Sequence, residues 1–404
     1  MALRRCLSAP LIALVAMIAL LGILVAGCGS GGDDGGNGNS AGNASDAANA
    51  HTIEDVAGRE VSVPEQIERV ILGEGRAVFA TAVLNPDDPF QHVVGVGSDL
   101  HEAAPTFEEQ VLEVAPHGSD IAVVGNFGKG DVTVENLLSL DPDVLVLTLD
   151  HRDTLADTGF LTQLDSVDIP YVFIDFRQDP IANTPKSAEL LGKLFGAEER
   201  AADFAGYYEN QVSQVTDRLA QLEDPAAEKP EVFLWRAAGM MDCCSTMKDV
   251  NLGNLLTVAG GRNMGDELLD TEFGQITPEK LISIQPEQII VTGGAWATDN
   301  DQPTSYVPLG YNATQDKAEA GLAGLLETPG FSELTAPASG GFHAIYHQFY
   351  HSPYNFIALA QYAKWLHPEL FADLDPEQIF VDFHQQWLPF AYSGTFFVTD
   401  TPAE

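Results

Sequence analysis

The chain has 404 residues, with 19 Lys and Arg against 59 Asp and Glu, for a formal charge of −40. A field of that sign repels nucleic acid and anionic lipid headgroups, so neither is expected as a partner. The acids are spread along the chain, which suits a surface adapted to high salt better than a polycation-binding patch.

At the N-terminus, Arg4 and Arg5 precede an apolar stretch over residues 11–25, followed by Val25-Ala26-Gly27-Cys28. A charged start, an apolar run of this length and small residues before a cleavage point describe a secretory signal peptide. The run is shorter than the ~20 residues that span a bilayer as a helix. A cysteine directly after the small residues resembles the bacterial lipobox, which implies cleavage before Cys28 and a lipid on its thiol; an uncleaved membrane anchor is the alternative. Residues 28–51 are mostly Gly, Asn, Ser, Ala and Asp, a composition that buries too little apolar surface to order itself. The expected layout is a leader over 1–27, a flexible tether over 28–51, and a folded remainder held outside the cytoplasm by a lipid anchor to the cell membrane.

The folded part opens with Thr52 to Pro64, where Ala57-Gly58-Arg59 reads as a hairpin turn between short strands. Short Val- and Ile-rich runs follow at 69–72, 92–96, 121–124, 144–147 and 171–174, with a helical pattern over 134–140. Runs of this kind suit buried parallel strands, and their alternation with helices predicts an open α/β sheet. A helical middle spans 181–222, with Thr184-Pro185 as an N-cap and first-turn proline and Gly192 and Gly196 as candidate breaks. From 198 to 222 nothing interrupts it, and Phe204, Tyr208, Val212, Val215, Leu219 and Leu222 form one apolar face, closed by Asp224-Pro225. A second α/β region starts with the strand at 231–235, continues with a helix at 252–259 and another from Thr277-Pro278, and reaches a strand at 288–292. The helix, x-Pro-x turn and strand around Asp141-Pro142-Asp143 recur around Gln285-Pro286-Glu287. This internal repeat predicts two α/β lobes, at 52–180 and 225–404, joined by a connecting helical segment at 181–224.

Several stretches occur in an order similar to one family: Asp55-Val56-Ala57-Gly58-Arg59-Glu60-Val61 with Pro64, Glu68-Arg69-Val70, Asp141-Pro142-Asp143-Val144, Ala259-Gly260-Gly261-Arg262-Asn263 and Gln285-Pro286. The chain resembles the substrate-binding lipoproteins of ABC importers for iron–siderophore complexes, haem and cobalamin, the class III periplasmic binding proteins. The resemblance implies two open α/β lobes joined by one long α-helix, a ligand between the lobes, and delivery to an ABC permease and its ATPase by a monomer. It also implies one surface glutamate per lobe that docks the permease, with Glu135 in the first lobe and Glu267 or Glu272 in the second. The segment from His347 to Leu370 resembles a subgroup for iron complexes, so a ferric chelate is the expected cargo, with haem, cobalamin or an oxoanion as alternatives. No resident cofactor is implied.

The candidate ligand-binding residues follow from position. Arg76, Arg152, Arg177 and Arg236 all stand at carboxyl ends of predicted strands, where cleft loops of open sheets lie, and a guanidinium suits anionic oxygens. Trp296 and Tyr306 supply apolar walls. His347, Tyr350 and Tyr354 are candidates from a segment in which His343, His347 and His351 alternate with tyrosines. With 342–350 as a strand, His343 and His347 stand about 13 Å apart, too far to share a metal ion with nitrogen–metal bonds near 2 Å, so no metal site is expected. The adjacent Cys243 and Cys244 form either a vicinal disulfide or two buried thiols. No Gly-x-Ser-x-Gly, His-Glu-x-x-His or phosphate-loop pattern is present, and a binding protein is expected rather than an enzyme; an anchored metal-dependent enzyme and a surface interaction protein are the rival classes.

Overall fold

Val70-Ile71-Leu72 is apolar throughout because both faces of its strand are covered, and all three side chains are fully buried. The computed structural model describes residues 50–222, 229–241, 243–296 and 306–400; Cys28, the leader, nearly all of the tether and Asp224-Pro225 lie outside them. Residues 46–404 form one compact unit. A hairpin, β1 (Ala50–Glu54) and β2 (Glu60–Pro64), turns where the sequence predicts it. Then β3 (Val70–Leu72), β4 (Val93–Gly97), β5 (Ala122–Gly125), β6 (Val144–Thr148) and β7 (Tyr171–Ile174) form a parallel sheet in the order β5-β4-β3-β6-β7. The order reverses between β3 and β6, so the crevice of this lobe opens at their carboxyl ends.

The second lobe repeats the plan. Its strands are β8 (Glu231–Trp235), β9 (Ser245–Met247), β10 (Arg262–Asn263), β11 (Phe273–Gln275), β12 (Gln288–Gly293), β13 (Phe342–Tyr346) and β14 (Phe397–Thr399). Its main sheet runs β10-β8-β12-β13-β14, parallel except for the edge strand β14, and β9 and β11 form a separate antiparallel pair. Here the order reverses between β8 and β12.

The connecting stretch is two helices. The first, Pro180–Phe195, begins within one residue of the predicted start, but its cap is Asp179 rather than Thr184: Asp179 accepts from Ala182 N at 3.2 Å. Pro185 therefore lies inside the helix, and Thr184 faces the core, accepting from Asn355 Nδ2 at 3.0 Å. Gly196, in a left-handed conformation at φ +65°, ends it, whereas Gly192 lies within it. The second, Glu198–Leu219, buries Phe204, Tyr208, Val212 and Val215 along one face and stops three residues short of Leu222. It is fastened to both lobes. Arg200 Nε donates to Val83 O at 2.5 Å and its Nη2 to Trp387 O at 3.0 Å, while Tyr208 Oη donates to Asn355 Oδ1 at 2.7 Å.

One predicted strand is corrected. β13 ends at Tyr346, and His347–His351 is a short 3-10 turn. The aromatic-rich run continues past the strand and most of the turn is buried like it, Tyr350 being partly buried, so the pattern does not reveal the bend. Cys243 and Cys244 are joined as a disulfide.

Candidate binding cleft

On the N-lobe side, three strand ends converge. Gly73-Glu74-Gly75-Arg76 follows β3, Ser98-Asp99 follows β4, and Asp150 follows β6. A side chain at Gly75 would meet Gly97 O at 2.2 Å, so glycine is what lets the first two loops touch. Asp99 then accepts from Gly75 N at 2.7 Å, from Arg76 N at 3.1 Å and from Arg76 Nε at 2.9 Å. Glu74 receives Arg76 and, at 2.6 Å, Arg177 Nη2, and Asp150 receives Arg177 Nη1 at 2.6 Å. Burial pushes Glu74 up, but Arg177 and Arg76 outweigh it and hold the carboxyl well below its usual range. Asp99 is moved the other way, to about 6, by burial and by the neighbouring Glu74.

The 3-10 turn of the second lobe reaches into this network. Arg76 Nη1 donates to Gln348 Oε1 at 3.0 Å and to the Tyr350 hydroxyl, and Arg177 Nη2 lies 3.5 Å from that hydroxyl. Both guanidinium groups also stack on the Tyr350 ring, at 5.0 and 4.9 Å from its centroid. Gln348 Nε2 donates to Ala103 O at 2.8 Å. The lobes thus meet at the cleft floor through Gln348 and Tyr350.

The C-lobe side is built differently. Arg236, directly after β8, donates to Met241 Sδ at 3.3 Å and lies 5.2 Å from the centre of the Phe273 ring; among the described residues no carboxylate pairs with it. Burial lowers its pKa. His347 Nδ1 lies 2.8 Å from Thr292 Oγ1, and that hydroxyl accepts from Ala237 N at 2.7 Å. Burial, then Arg236, Arg76 and Arg177, hold His347 neutral, its pKa well below the usual value.

Between these walls lies a cleft of about 180 Å³, lined by Asp150, Arg177, Gln178, Arg236, Val250, Asn251, Glu272, Phe273, His347 and Tyr350. Of the sequence candidates it brings together Arg177, Arg236, His347 and Tyr350. Arg76 sits behind Tyr350, one layer removed. Trp296 packs on His347 at 5.5 Å and Tyr306 on Trp296 at 5.1 Å, so both brace the wall from outside. Tyr354 is fully buried among Phe79, Phe349, Phe380 and Phe383. Arg152 points to its neighbour Asp153 at 3.1 Å and does not line the cleft. Glu135 is exposed in the first turn of the helix Val134–Ser139. Glu267 pairs with Arg262 at 2.5 Å, and Glu272 belongs to the cleft wall. His343 is bound to Thr399 and Gln288 at the far end of β13. Among the described residues no three His, Cys, Asp or Glu side chains converge as a metal site.

Sequence reasoning passed over Glu74, Asp99 and Asp150, which neutralise the arginines, and Gln348, Asn251 and Phe273. Glu74 and Asp99 carry a usable signal, since each sits within two residues of a glycine at a strand end.

The sequence model of the periplasmic binding protein family matches residues 92–345. The molybdate-binding protein MolA of Haemophilus influenzae is 22% identical over 360 residues, covering 84% of this chain and 91% of that protein. Among solved structures, the TroA-like periplasmic binding protein FepB from Veillonella parvula is similar with a TM-score of 0.76 and 28% identity, over 87% of this chain and 99% of that one. A periplasmic heme-binding protein from Pseudomonas aeruginosa shares the fold at a TM-score of 0.54 and 16% identity, over 84% and 100% of the two chains.

Proposed function

The chain belongs to the periplasmic binding protein family, the solute-binding components of ABC transporters that work outside the cytoplasm, and from that premise we propose that its cargo is a compact metal complex bearing anionic oxygens, a ferric chelate of the siderophore type. The observation that carries this is the mixed chemistry of one small cleft. Arg236, which no carboxylate among the described residues pairs, offers its guanidinium to anionic oxygens, while Asp150 on one wall and Glu272 on the other disfavour a ligand that is anionic all over. A cleft of about 180 Å³ is below the range of about 300–1,000 Å³ that encloses a drug-sized ligand, so a compact chelate suits it better than haem or cobalamin. A tetrahedral oxyanion is the second reading, favoured by the same volume and by the relative that binds molybdate.

Trp296 touches His347 and so reports on the cleft by its fluorescence. The test is a titration with ferric citrate, a ferric catecholate, molybdate and haem, repeated with Arg236→Ala. We expect a ferric chelate to bind and the variant to weaken it at least tenfold. Molybdate binding alone would replace the chelate by the oxyanion, and haem binding with no response to chelates would overturn both.

The finer placement is part of the same proposal. A lipid on Cys28 keeps the captured solute near the permease; Cys28→Ala is expected to release the protein from membranes. Glu135 and Glu267, exposed on separate lobes, are the proposed permease contacts, with Glu272 acting at the cleft mouth. Charge reversal at Glu135 and Glu267 is expected to abolish uptake with solute affinity intact.

A further inference from the structure

Five large apolar side chains are counted as exposed among the described residues, and three of them, Met240, Met241 and Phe273, at 42–43% exposure, belong to the Arg236 side of the cleft. Their placement is built rather than incidental. The chain leaves β8 at Arg236, turns through Met240 and Met241, and returns through the Cys243–Cys244 disulfide to β9. Arg236 N donates to Ser245 O at 2.8 Å, which closes that excursion at its root. Cys244 exchanges backbone hydrogen bonds with Ile276 in both directions, at 2.9 and 3.1 Å, and Phe273 pairs with Met247 across β9 and β11. The excursion and the β11 strand are thus held side by side. The guanidinium of Arg236 joins them, against the Met241 sulfur and the Phe273 ring.

Phe273 is both a lining residue of the cleft and an exposed residue, so this apolar surface continues the binding site outward. Covering it with an apolar group removes it from water, which is favourable. The lobes leave about 180 Å³ inside, and any cargo larger than that must emerge somewhere. Among the lining residues Phe273 is the exposed large apolar one, and the Arg236 guanidinium beside it contacts that ring and the Met241 sulfur.

We propose that Met240, Met241 and Phe273 form a specificity lip that selects a cargo with an apolar flank, aryl or alkyl, beside the anionic oxygen held by Arg236. The occupant is the protruding part of the solute. The lip deepens, and rests on, the reading of the cleft as the site of a compact metal complex. A thioether is polarizable and conformationally adaptable, so two methionines fit ring edges and chains alike. Bare oxyanions and polar chelates gain nothing from such a surface.

The test compares two ferric complexes and an oxyanion on the full chain by tryptophan fluorescence: ferric 2,3-dihydroxybenzoate, with aryl flanks; ferric citrate, without; and molybdate. Phe273→Ala and Met241→Ser are each measured, with Phe273→Leu as a variant that keeps an apolar side chain there. The expected result is that the affinity ratio of the aryl complex to citrate falls about tenfold in Phe273→Ala, falls in Met241→Ser, and recovers in part in Phe273→Leu. An unchanged ratio in the first two variants overturns the lip while leaving the cleft reading standing. An unchanged ratio with uptake lost in cells assigns the surface to the permease and also overturns it. If wild-type protein binds none of the three probes, the cleft reading fails and the lip with it.

Discussion

The two walls of the cleft use arginine in opposite ways. On the N-lobe wall, Arg76 and Arg177 are buried and their charge is balanced: Glu74, Asp99 and Asp150 pair with them, and the Tyr350 hydroxyl takes donors that face the other lobe. On the C-lobe wall, Arg236 contacts the soft groups Met241 and Phe273, and among the described residues no carboxylate pairs with it. The first wall is a scaffold whose charges hold one another in place. The second carries the guanidinium whose charge is available to a ligand. Position at a strand end is common to all three, so what separates them is the tertiary company each keeps.

Removing one member of the charge-balanced wall sharpens that contrast most. Arg177→Ala leaves Glu74 and Asp150 buried without their main partner, and breaking such a pair is destabilising by about 3–5 kcal/mol. Urea unfolding is expected to show a loss of that size. Arg236→Ala strands no described carboxylate, so its stability is expected to stay within about 1 kcal/mol of wild type while its affinity for the cargo falls. Equal stability losses in the two variants would break the distinction between scaffold and ligand arginine.

Acid separates the lobes next. The four buried histidines that stay neutral, His343, His347, His351 and His384, all belong to the second lobe; burial pushes His343 down to about 3 and His384 to about 4, and lowers His347 and His351 well below the usual value. A histidine with a depressed folded-state pKa is protonated first in the unfolded chain. Its contribution is present above pH 6.5 and is lost as the pH falls below it, by up to about 1.4 kcal/mol per pH unit each. Asp99, raised to about 6 in the folded state, binds its proton more tightly when folded and returns less than about 1 kcal/mol over the same step. Glu74, held well below its usual value, begins to matter only below about pH 4.5. Between pH 6.5 and 5.5 the protein is therefore expected to lose roughly 3 kcal/mol, with amide exchange rising first in the second lobe. Faster exchange in the first lobe would contradict this order.

Much of this architecture was legible in the sequence, and the failures share a cause. The parallel strands were visible because burial on both faces leaves unbroken Val and Ile runs, as at β3 and β6. The repeat around Asp141-Pro142-Asp143 and Gln285-Pro286-Glu287 announced two similar lobes. His347 to His351 was misread because its aromatic-rich turn is mostly buried like the strand before it. The cap of the connector was misassigned because Asp179-Pro180 and Thr184-Pro185 carry the same capping signal, and tertiary contact with Asn355 turns Thr184 inward. The charge balance of the cleft was illegible because, the Glu74–Arg76 pair apart, its bonds join residues 23 to 274 positions apart, such as Arg76 with Asp99 and with Tyr350.

A smaller effect is expected at Tyr350, which belongs to both walls. Tyr350→Phe keeps the ring under both guanidinium groups and removes the hydroxyl on which they converge. The freed donors have lost a neutral acceptor, which corresponds to about 1–2 kcal/mol. Because this hydroxyl ties the lobes together, scattering of the ligand-free variant is expected to show a more open form than wild type. An unchanged radius of gyration would mean that the other cross-lobe contacts, those of Gln348 and of Asn312 with Glu109, hold the lobes without it.

The smallest effect belongs to Arg152, which shares its strand-end position with Arg177 and nothing else. It starts the helix Arg152–Asp157, about half exposed, with only the exposed carboxylate of its neighbour Asp153 against it. Exposed pairs of this kind are worth about 0–1 kcal/mol, so Arg152→Ala is expected to leave unfolding within about 0.5 kcal/mol and cargo affinity within about twofold. The same truncation two strand ends apart would then separate the variants by several kcal/mol. A tenfold loss of affinity in Arg152→Ala would extend the cleft along β6 and place a third arginine on the ligand.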